Sequence, residues 1–211
     1  MTGERPGRPP RPRRESFAER RARRAAVDDP AVVLEAAARF LEARSRSVTE
    51  VRRRLGQAGY RSELIDGAIE RLTELGMLDD EQFARAWVES RDRVRPRGER
   101  AIREELRLKG IDRSTADLVL EERRVGISER AVDDGADDDA PARSPDRVAA
   151  ERLIAKHARA LARVADPRQR RQRAYALLAR NGFDPETCRE VAASAGASPA
   201  ESEEADEPDA D

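Results

Sequence analysis

The chain has 211 residues, of which 38% are hydrophobic, 40% are charged and only 3% are aromatic. No apolar run approaches the roughly 20 residues of a membrane-spanning helix, which excludes a transmembrane protein. The single cysteine excludes an intramolecular disulfide. The basic start lacks the apolar segment of a secretory signal, so we expect a cytoplasmic protein. Ala, Leu, Glu and Arg dominate the composition, which predicts an all-α fold.

The net charge of −1 conceals an uneven distribution of charge along the chain. Residues 1–25 carry nine Arg against three Glu, whereas residues 197–211 carry seven acidic residues and no basic residue. Neither segment has enough apolar side chains to offset its ordering entropy. We therefore expect a disordered basic arm over residues 1–27 and a disordered acidic tail over 197–211. The arm either attracts nucleic acid non-specifically or is a plain solvated tail.

Arginine supplies nearly all the positive charge, because only Lys109 and Lys156 among the 42 basic residues are lysine. The planar guanidinium group suits bidentate recognition of phosphate and carboxylate groups. A GC-rich genome, which favours arginine and alanine codons, explains the same bias equally well. The arginine content alone therefore does not decide between binding and composition.

Residues 28–76 are predicted to form three helices. Asp29 followed by Pro30 indicates an N-cap and a proline in the first helical turn. An S-x-x-E capping box at Ser47 starts the second helix, and Ser62 is expected to cap the third. Apolar residues recur at three- and four-residue spacing in each segment, so each helix has one buried face.

Residues 77–124 are predicted to repeat this arrangement. Asp79 is the N-cap of a helix in which Phe83 and Trp87 lie one turn apart, and we expect this pair to pack in the core in preference to stacking on bases. Proline and glycine interrupt the pattern before a second helix, and Asp112 or Ser114 caps a third.

A short pattern recurs three times: a leucine, a glycine four residues later and then a large apolar residue. The copies are Leu55 to Gly59, Leu106 to Gly110 and Leu178 to Gly182. Each glycine is predicted to end a helix. The third copy defines a further three-helix unit over residues 146–196. The longer spacing before it corresponds to residues 125–145, which we predict to be an acidic flexible linker.

The segment from Leu78 to Ile111, with LDDEQFARAWVESR followed by RGERAIREELRLKGI, resembles the RecX family of bacterial regulators. The resemblance implies three tandem three-helix units in an elongated, curved array. It also implies a protein that binds the RecA nucleoprotein filament and restrains ATP hydrolysis, strand exchange and coprotease activity in recombination and the SOS response. The basic arm, the acidic insertion and the acidic tail depart from the family pattern. The insertion leaves open how firmly the third unit is held against the second.

The sequence contains no catalytic constellation. His157 is the only histidine and is expected in or beside the core, and Cys188 is expected to face inward, so neither a zinc site nor a Cys/His nucleophile can be assembled. No G-x-x-x-x-G-K-S/T phosphate loop occurs. Neighbouring carboxylates alternate with arginine, as on solvated helical faces. We therefore expect a protein that is not an enzyme and has no cofactor.

Arginines gather on the loop and outer side of the central helix in residues 77–124. Such a basic edge suits an anionic partner, whether DNA phosphates or acidic patches on a protein filament, but it also serves solubility. We predict a monomeric regulator that contacts the RecA filament, and DNA through the filament or weakly. The alternative is a helical module that binds DNA directly and non-specifically. The candidate contact residues are Arg91, Arg95, Arg97, Arg100, Arg103 and Lys109.

Overall fold

The computed structural model describes residues 15–133 and 144–196. All regular elements in these two stretches are α-helices, which confirms the predicted all-α fold. The predictions for residues 1–14, 134–143 and 197–211 concern segments outside the described residues. The helices are α1 Phe17–Ala25, α2 Pro30–Glu42, α3 Val48–Ala58, α4 Ser62–Glu74, α5 Asp80–Val94, α6 Glu99–Leu108, α7 Arg113–Asp133, α8 Pro145–Ala162, α9 Pro167–Arg180 and α10 Pro185–Gly196.

The chain divides into two compact units between Leu78 and Asp79. The first unit contains α1 to α4, and α2, α3 and α4 pack around one apolar core. The buried positions follow the predicted helical spacing, so the amphipathic pattern of each segment determines the face that it buries. The core residues are Val33, Ala37, Val51, Leu55, Ile65, Ala68, Ile69, Leu72 and Leu78.

Side-chain caps start two helices of the first unit as predicted. Asp29 accepts a backbone N–H at the start of α2. Ser47 accepts the N–H of Glu50 at 3.2 Å, and the Glu50 carboxylate accepts the N–H of Ser47 at 3.4 Å, which completes the capping box. The prediction for Ser62 is wrong, because α4 begins at Ser62 itself. Its hydroxyl donates to Glu63 at 3.1 Å instead.

Helix α1 lies within the segment that was predicted to be a disordered arm, residues 1–27, so that prediction is wrong for residues 17–25. A second capping box starts the helix: Ser16 accepts the N–H of Glu19 at 3.2 Å, and Glu19 accepts the N–H of Ser16 at 2.7 Å. The helix buries no residue of its own. The Arg24 guanidinium lies 5.8 Å from the Tyr60 ring centre, which ties α1 to the end of α3.

The second unit contains two sets of three helices, each with its own apolar core. The α5–α7 set buries Phe83, Ala84, Val88, Ile102, Leu106, Ile111, Ala116, Val119 and Leu120. The α8–α10 set buries Ala149, Ala150, Leu153, Leu178, Phe183, Cys188 and Val191, with Leu161, Ala174 and Ala192 in an adjoining cluster. The predicted second and third three-helix units therefore correspond to two packed sets.

Helix α7 differs from its prediction in register and in length. The helical spacing of the sequence predicts that Leu118, Val119 and Glu122 face inward. Val119 is buried as predicted, but Leu118 and Glu122 are exposed. The helix continues to Asp133, so the predicted linker is wrong over residues 125–133. This stretch contains no proline, and its single glycine costs only about 1 kcal/mol in a helix.

The three leucine–glycine copies adopt the same helix ending, as predicted. Gly59, Gly110 and Gly182 all have positive φ angles, of 105°, 81° and 83°. The residue after each glycine donates its N–H to the carbonyl of the leucine, at 3.3, 3.1 and 3.4 Å. These bonds define a Schellman motif, in which glycine avoids the steric cost of a left-handed conformation.

Candidate anion-binding surface

Three of the predicted contact residues meet around Glu105 and Trp87. Arg91 Nε donates to Glu105 Oε2 at 2.5 Å, and Arg97 Nε lies 3.7 Å from Glu105 Oε1. The Trp87 indole N–H donates to the same carboxylate at 2.9 Å. The Arg91 guanidinium and Lys109 Nζ lie 4.1 and 4.7 Å from the Trp87 ring centre. These three cations are therefore held by cation–π and ionic contacts within the protein.

The aromatic pair of α5 has the packing role that the sequence predicts. Phe83 is buried, Trp87 is half-buried, and their ring centres are 5.7 Å apart. Glu105, the carboxylate that joins this group, was not among the predicted residues. One sequence signal pointed to it, because Glu105 on α6 lies four residues before Lys109, the C-cap of that helix.

Most other arginines of the α5–α7 set have carboxylate partners. Arg103 pairs with Glu99 at 3.0 Å and with Asp117, and the latter hydrogen bond raises the pKa of Arg103. Arg107 pairs with Glu104 at 2.7 Å. Residues 79–124 contain twelve basic and twelve acidic residues, so this set has no excess charge.

Arg95 and Arg100 are the two predicted contact residues that are exposed without an ion pair to another described residue. Arg100 lies on α6, close to Arg103, whereas Arg95 lies in the turn after α5. The structure therefore separates the six predicted residues into the cluster at Glu105, a pair on α6 and the isolated Arg95.

Helix α9 carries the positive charge that the sequence analysis missed. It contains five arginines and no acidic residue, and residues 144–196 as a whole contain eleven basic and six acidic residues. Within the described part of the chain, its exposed arginines and Arg189 of α10 have no carboxylate at ion-pair distance. The sequence PRQRRQRAYALLAR already shows this feature, because it contains five arginines and no acidic residue that could pair with them. The unpaired residues are Arg168, Arg171, Arg173, Arg180 and Arg189.

Three cavities that share lining residues form one concave surface across α6, α7, α9 and α10. The first, of about 830 Å³, shares Arg100 and Arg103 with the second, of about 560 Å³. Tyr175 lines both the second and the third, which has about 450 Å³ and no acidic residue in its lining. We call this surface the arginine groove. Its arginines are Arg100, Arg103, Arg107, Arg113, Arg124, Arg168, Arg171, Arg180 and Arg189.

A buried ionic junction sets the geometry of the groove. The Arg123 side chain, only 4% exposed, donates to both oxygens of Asp92 at 2.8 and 3.0 Å and to Asp146 at 2.8 Å. Asp146, at the start of α8, also accepts the N–H of Glu99 at 2.9 Å. Burial raises the pKa of Asp146, while its bonds with Glu99 and Arg123 act in the opposite direction. The junction thus holds the two helix sets together.

Two glycines allow the backbones to meet beside this junction. Gly98 N–H donates to the Asn181 carbonyl at 3.1 Å, and Arg97 donates to the Asn181 side chain at 3.0 Å. A Cβ atom at Gly98 would lie 2.2 Å from the Gly182 carbonyl oxygen. Glycine is therefore required here by the close approach of two main chains.

His157 and Cys188, the only histidine and cysteine of the chain, lie in different surroundings. His157 is exposed, so the prediction that it lies in or beside the core is wrong. Cys188 is fully buried as predicted, and burial raises the pKa of its thiol. Within residues 15–133 and 144–196, no three His, Cys, Asp or Glu side chains are placed to hold a metal ion. None of the helices described in these ranges has the length and apolarity to cross a membrane.

Comparison with known proteins identifies the family. Residues 34–72, 79–120 and 146–192 match the first, second and third three-helix domains of RecX, respectively. The chain belongs to the RecX family. The three matches lie on α2–α4, α5–α7 and α8–α10, so each RecX domain corresponds to one of the three-helix sets.

Relatives and solved structures agree with this assignment. The regulatory protein RecX of Mycolicibacterium vanbaalenii is 32% identical over 152 residues, covering 69% of this chain and 72% of the relative. That of Mycobacterium ulcerans is 31% identical over 153 residues, covering 72% and 78%. The crystal structure of RecX from Lactobacillus salivarius matches with a TM-score of 0.60 at 20% identity, covering 78% of this chain and 94% of that chain. The last comparison supports the fold.

Proposed function

We propose that this RecX protein binds the RecA nucleoprotein filament and inhibits RecA ATP hydrolysis, strand exchange and coprotease activity in recombination and the SOS response. It does so in the cytoplasm, as a monomer, without a catalytic residue or a cofactor. Family membership supports this proposal. The observation that carries the contact itself is the arginine groove, whose α9–α10 end presents unpaired cations to an anionic partner.

The groove changes which residues we propose as contacts. Arg91, Arg97 and Lys109 act indirectly, because their contacts with Glu105 and Trp87 hold α5 and α6 in place. The direct contacts are exposed arginines that an acidic protein surface or a DNA phosphate can approach without first breaking an internal ion pair. Breaking such a pair would reduce the net gain on binding. Arg103 does not meet this condition, because it pairs with Glu99 and Asp117. The proposed direct contacts are Arg95, Arg100, Arg168, Arg171 and Arg189.

The test measures single-stranded-DNA-dependent ATP hydrolysis by the matching RecA, with this protein added at far fewer copies than RecA. The R168Q/R171Q/R189Q variant removes three unpaired groove charges. The matched control, R39Q/R71Q/R93Q, removes three exposed arginines that pair with glutamate on their own helices. We expect the groove variant to inhibit about tenfold less well and the control to inhibit as the parent does. An equal loss in both variants, or no loss in either, would remove the groove from the proposal.

Direct DNA binding is the second candidate, and Tyr175 favours it. This residue is 37% exposed and lies in the groove among arginines, where its ring could stack on an unpaired base. This reading predicts RecA-independent binding of an oligothymidylate with a steep salt dependence. It also predicts inhibition of RecA only when the protein is abundant enough to coat the DNA. Inhibition at low ratios, with the DNA still free, favours the filament contact.

A further inference from the structure

The α9–α10 end of the groove is followed in the sequence by a strongly acidic segment. Arg189 and Ala192 of α10 line the groove, and α10 ends at Gly196. Residues 197–211 follow at once, with the sequence ASPAESEEADEPDAD, which has seven acidic residues and no basic residue. A surface with unpaired arginines and a segment with seven acidic residues are therefore consecutive in the chain.

The length of the acidic segment is sufficient to reach the groove. Arg189 and Gly196 are seven residues apart on one helix, which corresponds to about 10 Å. Fifteen extended residues span up to about 50 Å. The segment could therefore turn back along α10 and pass Arg189, Arg171 and Arg168 with residues to spare.

The distribution of charge favours this surface over the α5–α7 set. Residues 79–124 are electrically balanced, and most of their arginines, although not Arg95 and Arg100, already have partners such as Glu99, Glu104 and Glu105. The third cavity has three arginines and no carboxylate in its lining. A tethered segment is present at an effective concentration in the millimolar range, so even weak pairing populates the contact.

We infer that residues 197–211 occupy the α9–α10 end of the arginine groove and compete there with anionic partners. The segment acts as an internal stand-in for phosphate or carboxylate groups and lowers the apparent affinity of the groove. The contact itself does not depend on RecA, but its regulatory consequence rests on the proposed function. Neutralising the segment should therefore raise affinity for a polyanion without adding any contact.

The first experiment measures binding of a fluorescein-labelled oligothymidylate by anisotropy. In the tail variant, every Glu and Asp of residues 197–211 is replaced by Gln or Asn, and we expect about fivefold tighter binding at low salt. The gain should disappear when R168Q/R171Q/R189Q is combined with the tail variant, and it should shrink as the salt concentration rises. No gain in the tail variant would overturn the inference.

The basic arm is the competing site for the acidic segment, since residues 1–14 contain five arginines. A variant with these five arginines replaced by Gln provides the comparison. If the gain from tail neutralisation survives in the groove variant and is lost in the arm variant, the segment binds the arm and the inference is wrong. The opposite pattern supports the groove.

The second experiment detects the contact in the absence of DNA and RecA. Amide ¹H–¹⁵N spectra of the full chain and the tail variant should differ at α9 and the last turns of α10 and agree over α5. Shifts confined to residues outside α9 and α10 would contradict the contact. If these shifts appear but RecA inhibition is absent in every variant, the proposed function fails while the contact stands.

Discussion

The second and third three-helix sets share a fold and a glycine helix ending, but they use arginine differently. In residues 79–124, twelve acidic residues accompany twelve basic residues, and side chains such as Arg103 and Arg107 lie beside carboxylates. In residues 144–196, six acidic residues accompany eleven basic ones, and α9 has no acidic residue. The density of arginine along a sequence therefore does not show where unpaired positive charge lies. The positions of the carboxylates determine that.

The largest expected effect concerns an arginine that serves both sets, Arg123. Replacing it with Ala leaves the half-buried carboxylates of Asp92 and Asp146 without their shared cation, which should lower the free energy of unfolding by up to about 3 kcal/mol. R93A, which removes an exposed pair with Glu89, should change it by less than about 0.5 kcal/mol. Urea denaturation followed by circular dichroism measures both. Similar values for the two variants would show that the junction does not couple the sets.

The glycine contact between the sets should give the next largest effect. G98A places a methyl group against the Gly182 carbonyl, and we expect a loss of about 1–3 kcal/mol because the main chains must separate. Gly67 is the control, since it is exposed on α4 and no atom lies within 4 Å of an added Cβ. G67A should stabilise the protein by about 0.5–1 kcal/mol, as helix propensity requires. A neutral G98A would contradict the close approach.

A single acidic residue should make α9 resemble α6. Gln172 lines the α9–α10 cavity four residues after Arg168, so Q172E introduces a carboxylate at ion-pair spacing. We expect about fivefold weaker binding of an oligothymidylate at low salt. Gln169 lies on the same helix outside the cavity lining, and Q169E should weaken binding by only about twofold. Equal effects would indicate that net charge, and not the local arrangement, determines binding.

Removing a carboxylate from α6 should have the opposite effect to adding one to α9. Glu104→Gln releases Arg107, an exposed arginine that already lines the groove. We expect about twofold tighter oligothymidylate binding, with no measurable change in the urea midpoint, because an exposed pair contributes little to stability. Tighter oligothymidylate binding by Q172E, or weaker binding by E104Q, would contradict the prediction that a carboxylate beside an arginine weakens binding.

The reactivity of Cys188 tests whether the alanine-rich core of α8–α10 is closed to solvent. Cys188 is fully buried and its thiol pKa is raised, so little thiolate is available for reaction at neutral pH. Alkylation by iodoacetamide should be at least about 100-fold slower in the native protein than in urea. Rapid native alkylation would show that this set opens far more readily than its packing indicates.

Local signals in the sequence predicted much of the fold. Asp79 accepts the N–H groups of Glu81 and Gln82 at 2.8 and 3.0 Å, as an N-cap should. The positive-φ glycines and the buried helical faces also follow from patterns of four or five residues. Such features depend on neighbours in the sequence, which is why they could be predicted. Ser16 and Glu19 form the same S-x-x-E pattern, but the arginine-rich composition of the surrounding segment favoured a prediction of disorder.

The junction and the groove could not be predicted in this way. Arg123 reaches Asp92 and Asp146 across 31 and 23 residues, and nothing in EERR distinguishes it from the exposed Arg124 beside it. The contact of Gly98 with Gly182 is equally distant in the sequence. Of the predicted contact residues, Arg100 and Arg103 lie in the groove. Arg168, Arg171 and Arg189 were not predicted, because their position beside α6 and α7 depends on contacts between helices that are distant in the sequence.

The surroundings of Trp87 give the protein a built-in optical probe. Arg91 and Lys109 lie over the indole ring, and this is the only tryptophan in the chain. Dissolved iodide should concentrate near these cations and caesium should be repelled, so the two collisional quenchers should differ strongly in their effect on fluorescence. A polyanion that covers α5 and α6 should suppress the iodide effect, whereas one bound only along α9 should leave it intact.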